Sequence, residues 1–409
     1  MKRRIAVLKF GGTSVADPEK IQRAAERAVE MRRAGWQVAV VVSAPGEMTD
    51  ELIGLARRVA PEPDARELDQ LMATGELVGV SLFAMACRAK GAPAVSLSGP
   101  QAGFHCEGAP TLSTITAIRP RRVLAEMAAG KIVAVAGFQA LAPNGDTATL
   151  GRGGSDLSAV ALAAVLKAAR CDIFTDVKGV YTADPRVVPD ARQLKRLSYE
   201  EMLELSSAGA QVMLARSIEV AQRYGVRLQV RSAFQPAAGT WIEAGPEADM
   251  EKAHVSSIAH DTGEVRLTVA GVPDQPGVAA SVLAALADAD VPVDMVVQSS
   301  ATMAGVNDIS LMCPRGSAAA AKAALAKTAK RLRARGVDVQ EDVVKVTAVG
   351  TGFRRSPKVA ATMFAALAKE RINIEMITTS DLKICCVVSK EHADVALRAL
   401  HKAFKLGRR

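Results

Sequence analysis

The sequence predicts an α/β domain built on a mostly parallel sheet, followed by two copies of a smaller α+β domain. Apolar runs such as Ile5–Leu8 and Val38–Val42 alternate with helical stretches through the first 240 residues. Strands that are apolar throughout are buried on both faces, which is typical of a parallel sheet covered by helices. Beyond a break at Ala237–Ala259, which is rich in Gly, Pro and acidic residues, the chain repeats itself.

The composition is that of a packed globular protein with more than one core. A length of 409 residues predicts two to three domains. Apolar residues make up 49% and charged residues 23%, which excludes an intrinsically disordered chain. The formal net charge of +9 is scattered and forms no basic stripe interleaved with aromatic residues. We therefore expect attraction of an anionic nucleotide and no nucleic-acid partner.

The cysteines predict a reducing compartment. They form no CxxC pair and no metal-ligand spacing, so we expect buried thiols and no metal site. The six are Cys87, Cys106, Cys171, Cys313, Cys385 and Cys386. The sequence shows no signal peptide and no apolar run long enough to cross a bilayer, so we expect a cytoplasmic protein that does not bind membranes.

The elements of the first domain follow one another in a strand–helix rhythm. After Ile5–Leu8, Asp17 can cap a helix whose first residue is Pro18, and Gly35 ends that helix before the strand Val38–Val42. Further helices are predicted at Asp50–Val59, Glu67–Ala89, Arg121–Ala129 and Leu157–Ala169. Further strands are predicted at Ala94–Leu97, Ile132–Ala136, Asp172–Thr175 and Arg227–Val230. Such sheets bind ligands beyond the carboxyl ends of their strands.

The C-terminal part contains an internal repeat. Val265–Val269 matches Val344–Ala348, and a set of apolar, proline and acidic positions then recurs at one constant offset. Each copy indicates a strand, helix and strand, followed by a closing strand, helix and strand, so we expect two copies of one small domain. The predicted boundaries are 1–240 for the first domain, 241–260 for a linker, and 261–340 and 341–409 for the two copies.

The first motif places Lys9 at a strand end with Gly11 and Gly12 directly after it. Glycine lets backbone N–H groups approach phosphate oxygens, and the ammonium group offsets their negative charge. It is not a Walker A loop, because GxxxxGK[ST] is absent. An ordinary turn with a surface lysine is the alternative interpretation.

The second motif, Gly151–Asp156, joins three glycines to an arginine in front of a helical run. Ser155 or Asp156 is predicted to cap that helix, whose N-terminus would then face an anion. The planar guanidinium of Arg152 suits a carboxylate. A simple helix start needs one glycine, so three glycines favour a binding loop.

Further candidates are weaker when each is taken alone. Thr175–Arg186 leaves a buried strand through a run of Asp, Tyr, Thr and Arg, which favours nucleotide contact over an ordinary loop. Ser43 ends its strand, and Thr49 follows in the next loop. Glu76 lies beside a helical glycine, where its carboxylate could hold a substrate ammonium group. A solvated surface residue is the alternative for each of these last three.

Together these segments resemble the aspartate kinases of the amino-acid kinase superfamily. The resemblance runs from Lys9 to about Phe404, and KFGGTSV, GRGGSD, TDVKGVYTADPR, SYEEMLEL and NIEMI stand in the order and spacing of that family. The paired repeats look like its ACT domains, which bind end-product amino acids. The resemblance implies a three-layer α/β/α amino-acid kinase sandwich followed by two ferredoxin-like α+β ACT domains.

The resemblance also implies site residues. Lys9 and Asp156 are the implied catalytic residues, with Asp156 organising the lysine. Implied ATP contacts are Lys9, Phe10, Gly11, Gly12, Ser43, Thr175, Asp176, Tyr181, Asp184, Arg186 and Gln211. Implied aspartate contacts are Thr49, Glu76, Arg152, Gly153, Gly154 and Ser155. Implied effector contacts are Asp274, Gly277, Val278, Ala279, Asp294 and Gln298 in the first ACT copy and Asn373, Ile374, Ser380 and Asp381 in the second.

The chain departs from the family pattern at several positions. Gln211 stands where many members have a lysine that neutralises the nucleotide phosphates, and it donates hydrogen bonds without a charge. Lys178 stands where aspartate is usual and adds a positive charge nearby. In the ACT copies, Lys358 replaces a glycine, and Ser299-Ser300 replace Asn-Val.

The function implied is ATP-dependent phosphorylation of the β-carboxylate of L-aspartate to 4-phospho-L-aspartate, the first step of lysine, threonine and methionine biosynthesis. MgATP would be the phosphoryl donor, and lysine, threonine or both the feedback effector. ACT domains complete their sheets by pairing, so a homodimer or larger assembly is expected. One alternative is an amino-acid kinase with another acceptor, such as glutamate. The other is a non-catalytic amino-acid sensor, which Gln211 favours and which Lys9, Arg152 and Asp156 argue against.

Overall fold

The computed structural model describes residues 4–210, 212–245, 253–299 and 305–407. These residues form two compact units. The first comprises 4–180, 193–206 and 212–245, and the second comprises 181–192, 207–210, 253–299 and 305–407. The segment 181–192 therefore belongs to the second unit, although the chain on either side of it belongs to the first.

The first unit is organised around an eight-stranded sheet. In chain order its elements are β1 (Ile5–Phe10), α1 (Pro18–Arg33), β2 (Gln37–Val42), α2 (Met48–Val59), α3 (Ala65–Ala89), β3 (Ala94–Leu97), α4 (Gly99–Ala102), β4 (Phe104–Glu107), β5 (Thr114–Ile118), α5 (Arg121–Ala128), β6 (Ile132–Ala136), β7 (Gln139–Leu141), β8 (Thr147–Thr149), α6 (Gly154–Leu166), β9 (Arg170–Thr175), β10 (Arg196–Ser198), α7 (Tyr199–Ser207), α8 (Ala215–Tyr224), β11 (Leu228–Ser232) and β12 (Thr240–Glu243). The sheet order is β10-β12-β11-β9-β1-β2-β6-β3. The six strands from β11 to β3 are parallel, and β12 runs antiparallel to β11.

Alternation along β1 separates the two faces of this sheet. Leu8 and Phe10 join the core cluster formed with α1 and α3, which includes Ile21 and Phe83. Successive side chains of a strand point to opposite faces, so Lys9 points to the other face, which α6 covers. The predicted parallel sheet with helices on both faces is confirmed. Strands β5, β4, β7 and β8 form a separate four-stranded sheet.

The predicted helices and strands of the first domain overlap the observed ones, but two helix starts differ and α6 ends at Leu166, three residues before its predicted end. Asp17 caps α1, since its Oδ1 accepts a hydrogen bond from Lys20 N at 2.8 Å. The prediction that Ser155 or Asp156 caps α6 was wrong: the cap residue is Gly153, in the left-handed region at φ 68°, and no side chain caps the helix. Thr49 lies in the first turn of α2 and not in a loop. Both errors arise because polar residues at a helix start resemble loop residues in sequence.

The expectation that no apolar run is long enough to cross a bilayer was wrong for helix α3. It is long enough, and an 18-residue window reaches a mean hydropathy of 1.4. Half of that window is buried in the protein, where α3 contacts α1, β3 and β6. Packing against the sheet accounts for its apolar composition.

The second unit holds the repeat. Its elements are β13 (His254–Asp261), β14 (Glu264–Pro273), α9 (Val278–Ala287), β15 (Asp294–Gln298), β16 (Val306–Pro314), α10 (Ala318–Leu332), β17 (Gly336–Gln340), β18 (Val343–Thr351), α11 (Pro357–Lys369), β19 (Met376–Thr379), β20 (Lys383–Ser389) and α12 (Ala393–Ala403). The first copy forms the sheet β15-β16-β14-β17, and the second forms β13-β18-β20-β19. Each copy has its own buried apolar cluster.

The predicted linker at 241–260 was wrong at both ends. Its first residues belong to β12, which lies between β10 and β11 in the large sheet, and its last residues form most of β13. Strand β13 pairs antiparallel with β18 and supplies the fourth strand that the second copy was predicted to form after α12. The residues of β13 include Ser256 and Ser257, which are buried, so the strand shows no apolar run in sequence.

Candidate active site

An ion pair between β1 and α6 lies at the centre of the first unit. Lys9 Nζ is 2.6 Å from Asp156 Oδ1, and each side chain is 12% exposed. Lys9 is at the carboxyl end of β1, and Asp156 is in the first turn of α6, on the face that Lys9 points to. A lysine held by one carboxylate is fixed in direction, which suits contact with an anion.

The glycine pair after β1 packs against the loop that follows β2. A side chain on Gly12 would place its Cβ 2.8 Å from Gly46 O and 2.9 Å from Ala44 O, and Gly46 N donates to Gly12 O at 3.0 Å. Ser43 is bound to the end of β1, because its N–H donates to Phe10 O at 3.1 Å. Backbone contact this close excludes larger residues at position 12.

Phe10 takes part through packing. Its side chain is fully buried and stacks on Phe174, with ring centroids 4.6 Å apart. Phe10 was predicted to contact ATP, but its side chain is not exposed to a ligand.

The glycine-rich loop leads from β8 into α6. Gly153 has a left-handed backbone, and a side chain there would overlap Leu214. Arg152 is exposed, while Gly154 and Ser155 are buried. A Cβ on Gly137, which follows β6, would lie 2.7 Å from Ser155 Oγ. The loop is thus held against the end of β6, with Arg152 projecting to solvent.

Glu76 is a buried carboxylate on α3. Its Oε1 accepts a hydrogen bond from Ala44 N at 3.2 Å, and within the described ranges its buried Oε2 has no hydrogen-bond partner. Burial raises the pKa of Glu76 from 4.5 to about 7, against the lowering effect of the Ala44 N–H. An unpartnered buried acceptor is costly unless a ligand satisfies it. Glu76 is therefore a strong candidate for an ammonium-binding group.

Asp69 was missed by the sequence analysis. It is 1% exposed and accepts hydrogen bonds from Thr111 N at 3.0 Å, Thr149 N at 3.0 Å and Thr149 Oγ1 at 2.6 Å. These bonds tie α3 to the end of β8, immediately before the glycine-rich loop. A lone aspartate on the apolar face of an amphipathic helix was the available signal.

The remaining nucleotide candidates fall in two places. Thr175 and Asp176 follow β9, with Thr175 Oγ1 donating to Asp176 Oδ1 at 3.0 Å. Tyr181, Asp184 and Arg186 belong to the second unit. There Arg186 donates from Nε and Nη2 to Asp184 at 3.0 and 2.7 Å, which lowers the pKa of Asp184.

Three positions remain, namely the predicted ATP contact Gln211, the predicted aspartate contact Thr49, and Lys178, which departs from the family pattern. Gln211 lies outside the described residues. Thr49 is partly buried in α2, which packs on α3, the helix of Glu76. Lys178 O accepts a hydrogen bond from Gln193 Nε2 at 2.7 Å. The structure therefore groups Lys9, Asp156 and the glycine loops most tightly.

Three effector candidates of the first copy lie at the start of α9, and Asp274 precedes them. Gly277 precedes the helix with φ 91°, Val278 is buried and Ala279 is partly buried, while Gln298 is exposed at the end of β15. Exposed Asp274 accepts a hydrogen bond from Asn307 Nδ2 at 3.0 Å. Asn307 Oδ1 is buried and has no hydrogen-bond partner among the described residues. Sequence reasoning missed Asn307.

Asp294 is already engaged within the second unit. Its Oδ2 lies 2.5 Å from Lys345 Nζ, and Lys345 also contacts Glu264 Oε2 at 2.9 Å. Lys345 is 3% exposed, so a buried lysine joins β14 and β15 to β18 through two ion pairs. An effector contact with Asp294 would compete with Lys345.

The candidates of the second copy lie at either end of β19. Asn373 is exposed and Ile374 is partly buried before the strand. After it, Ser380 Oγ accepts hydrogen bonds from Leu382 N and Lys383 N at 3.2 Å. Asp381 is 3.8 Å from Arg354 Nε, and Lys358 is exposed in α11. Ser300 lies outside the described residues.

The Lys9–Asp156 pair beside two glycine loops suits an anionic, phosphate-bearing ligand, and comparison with known proteins gives the family of this chain. The amino acid kinase family profile matches residues 4–232, and the ACT domain profile matches residues 265–328 and 346–404. An aspartokinase of Mycolicibacterium smegmatis is 44% identical, over 98% of this chain and 96% of the relative. The chain therefore belongs to the amino acid kinase family, among its aspartokinases.

Solved structures agree with this assignment. Aspartokinase III of Escherichia coli in complex with aspartate and ADP, in its R-state, has a TM-score of 0.83 at 25% identity, and 98% of this chain and 99% of that chain are covered. The same enzyme in complex with lysine and aspartate, in its T-state, has a TM-score of 0.73 at 26% identity with the same coverage. The predicted fold, a kinase sandwich followed by ACT domains, is confirmed.

Proposed function

We propose that this protein is an aspartate kinase, which transfers the γ-phosphoryl group of ATP to the β-carboxylate of L-aspartate. The observation that carries the proposal is the Lys9–Asp156 ion pair at 2.6 Å, next to the Gly11-Gly12 loop and on a face shared with the start of α6. The relatives named aspartokinase, at 43–45% identity over nearly the whole chain, support the choice of acceptor.

In this proposal the nucleotide phosphates lie at the carboxyl end of β1. Lys9 Nζ contacts the transferring phosphoryl group, and Asp156 fixes its direction. Gly11 and Gly12 allow backbone approach, and Thr175 and Asp176 lie at the end of the adjacent strand β9. ATP arrives as its Mg²⁺ chelate, in which the ion offsets phosphate charge and is part of the substrate. Phosphoryl transfer depends chiefly on such positioning and charge stabilisation.

The acceptor is held by groups of opposite charge. The free Oε2 of Glu76 receives the α-ammonium group, which supplies the missing partner of that buried oxygen. Arg152 binds the α-carboxylate with its planar fork. Thr49 and the buried Ser155 complete the aspartate site. The β-carboxylate is then directed at the γ-phosphorus.

The chemistry needs no general base. The β-carboxylate is ionised at neutral pH, because an aspartate side chain has a pKa near 3.9. One carboxylate oxygen forms the new O–P bond while the bond from the γ-phosphorus to the β,γ-bridging oxygen breaks and ADP leaves with the electron pair. The enzyme contributes orientation of the two anions and neutralisation of their charge.

Regulation is assigned to the second unit. We propose that lysine, threonine or both bind at the start of α9, where the N-terminus of the helix, Asp274 and Asn307 offer partners for a carboxylate and an ammonium group. The solved complex of the E. coli relative with lysine supports an amino-acid effector. The domains we propose are 1–240 for the kinase and 261–340 and 341–409 for the ACT copies, with β13 completing the second.

The wider setting is proposed on the same basis. The reaction is the first step of lysine, threonine and methionine biosynthesis, and ACT pairing gives a homodimer or larger assembly. The six cysteines are buried as free thiols, which suits a reducing, cytoplasmic location.

An ADP-release assay coupled to NADH oxidation tests the proposal, with aspartate, glutamate or no acceptor added. We expect turnover that depends on aspartate and is negligible with the other two. Turnover with glutamate would indicate an amino-acid kinase with another acceptor. No turnover with any acceptor, together with retained amino-acid binding, would indicate a sensor and contradict the proposal.

A further inference from the structure

The segment 181–192 carries three of the proposed nucleotide contacts and is built into the core of the second ACT copy. Its apolar side chains Ala183, Val188 and Ala191 are between 0 and 4% exposed. They belong to the same cluster as Leu397 and Leu400 of α12. Tyr181 packs against that cluster as well. The position of this segment is therefore set by ACT side chains.

Hydrogen bonds to the main chain fix the segment to the beginning and end of the same copy. Ile258 N of β13 donates to Thr182 O at 2.8 Å. Arg192 Nε donates to Leu406 O at 3.2 Å, beyond α12. Ala191 forms a β-bridge with Gly407. These bonds hold the segment at both ends.

One side-chain hydrogen bond lies inside this packing. Thr182 Oγ1 and His401 Nε2 are 2.9 Å apart, and the two residues are 0% and 1% exposed. Thr182 Oγ1 also accepts from Arg192 N at 3.1 Å. His401 Nδ1 lies 3.7 Å from Asp190 Oδ1, a carboxylate oxygen that can only accept. This neighbour favours the proton of a neutral ring on Nδ1, and Nε2 then accepts the hydrogen of Thr182.

The electrostatics agree with a neutral imidazole. Burial lowers the pKa of His401, and Arg192 adds to this lowering, while Asp190 opposes it. A buried hydroxyl–imidazole pair has no water to replace a lost partner, so removing either group leaves the other unsatisfied.

We propose that Thr182 and His401 are positioning residues for the nucleotide, through which helix α12 of the second ACT copy holds the ATP-binding segment in place. The proposal rests on the proposed function in one respect, namely that Tyr181, Asp184 and Arg186 contact ATP. It adds that nucleotide affinity depends on a hydrogen bond made entirely within the regulatory unit. Aspartate affinity does not depend on it.

The test compares three variants of the full-length protein. Thr182→Val removes the hydroxyl and keeps the shape, and Thr182→Ser restores the hydroxyl. Thr347→Val is the matched control, since it removes a buried hydroxyl of β18 that bonds to Cys385 Sγ at 3.3 Å. For each, the Kd for ADP is measured by calorimetry, and KM for ATP and for aspartate by steady-state kinetics.

We expect Thr182→Val to weaken ADP and ATP binding about tenfold, as the loss of one buried hydrogen bond does, with KM for aspartate unchanged. Thr182→Ser and Thr347→Val should bind nucleotide like the wild type. Equal increases in both KM values, an unchanged ADP Kd in Thr182→Val, or an equal loss in Thr347→Val would overturn the inference.

The same measurements separate this inference from the proposed function. ADP affinity is read without turnover, so a wild type that binds ADP but does not phosphorylate aspartate would contradict the function and still test the inference. A wild type that turns over aspartate, with no change in ADP Kd on Thr182→Val, would contradict the inference alone. A wild type that does not bind ADP would contradict both.

Discussion

At the scale of single residues, the site combines a lysine that already has a partner of opposite charge with a buried carboxylate that has none. Lys9 has its partner in Asp156, so the direction of its side chain is fixed before any ligand arrives. Glu76 has one oxygen satisfied by Ala44 N and one left without a partner, so its charged form is unfavourable in the free protein. A substrate with an ammonium group removes that penalty. With Glu76 in the aspartate site, as we propose, substrate binding is linked to the ionisation of Glu76.

This linkage predicts a pH dependence. As pH rises through about 7, Glu76 ionises and can pair with the α-ammonium group, so kcat/KM for aspartate should rise there. Glu76→Gln should remove this rise and increase KM for aspartate about 30-fold or more, with KM for ATP unchanged. Glu67→Gln, exposed on the first turn of α3, is the control. A pH profile of kcat/KM that Glu76→Gln leaves intact would exclude Glu76 from the aspartate site.

The stability of the ligand-free protein should show the opposite trend. Between pH 4.5 and about 7 the folded protein holds a proton on Glu76 that the unfolded chain has released. The free energy of unfolding therefore contains a contribution that is present below pH 4.5 and is lost as pH rises through about 7. Urea unfolding of the wild type and Glu76→Gln across this range measures it. A wild-type stability curve parallel to that of Glu76→Gln would contradict the raised pKa.

At the scale of elements, close backbone contacts assemble the site. The turn after β1 and the loop after β2 meet at Gly12 without room for a side chain. Helix α3 reaches the same loop through Gly75, where a Cβ would lie 2.9 Å from Ala44 Cβ. Asp69 then anchors α3 to the end of β8. Small residues and the buried carboxylate of Asp69 thus position the turn after β1, the loop after β2 and the loop after β8.

Two glycine substitutions test this arrangement in opposite directions. Gly12→Ala pushes its Cβ against the backbone oxygens of Gly46 and Ala44, so it should weaken ATP binding at least about tenfold. Gly54→Ala in α2 meets open space, so it should raise the free energy of unfolding by about 0.5–1 kcal/mol and leave ATP binding unchanged. Calorimetry with ATP and urea unfolding measure both. Normal ATP affinity in Gly12→Ala would show that the two loops can separate without cost.

The sequence predicted most features that local rules determine, although it assigned the cap of α6 to the wrong residue. The apolar strands and the glycine motifs follow from alternation and backbone sterics, and so does the cap at Asp17. Strand β13 was not predictable, because its buried Ser256 is satisfied only by Val349 O in another element, at 3.1 Å. The roles of Asp69 and Asn307 likewise depend on partners about 80 and 33 residues away. Such contacts appear only once the chain is folded.

At the scale of the whole molecule, effector control requires communication between separate sites. An effector inhibits only if it binds the inactive arrangement more tightly than the active one. A coupling of about 1–3 kcal/mol would give roughly 5- to 150-fold control. The segment 181–192, which combines nucleotide candidates with ACT packing, offers one physical route for it.

Inhibition by lysine, threonine or both should therefore depend on Asp274. We expect Asp274→Ala to relieve inhibition, because the effector ammonium group loses its carboxylate partner and Asn307 Nδ2 loses its acceptor. Asp288→Ala, at the other end of α9, is the control. Activity is titrated with lysine, threonine and their mixture. Inhibition that is unchanged in Asp274→Ala would remove this residue from the effector site.

The central claim is that this chain makes an acyl phosphate on the β-carboxylate of aspartate, with Lys9 stabilising the transfer. Hydroxylamine converts such a product to a β-hydroxamate, which mass spectrometry quantifies. We predict hydroxamate formation that requires both ATP and aspartate and that falls about 10²- to 10³-fold in Lys9→Ala. Lys90→Ala, which removes a surface lysine 3.6 Å from Glu26, should leave the yield unchanged. No β-hydroxamate from the wild type, or an equal yield from Lys9→Ala, would contradict the account.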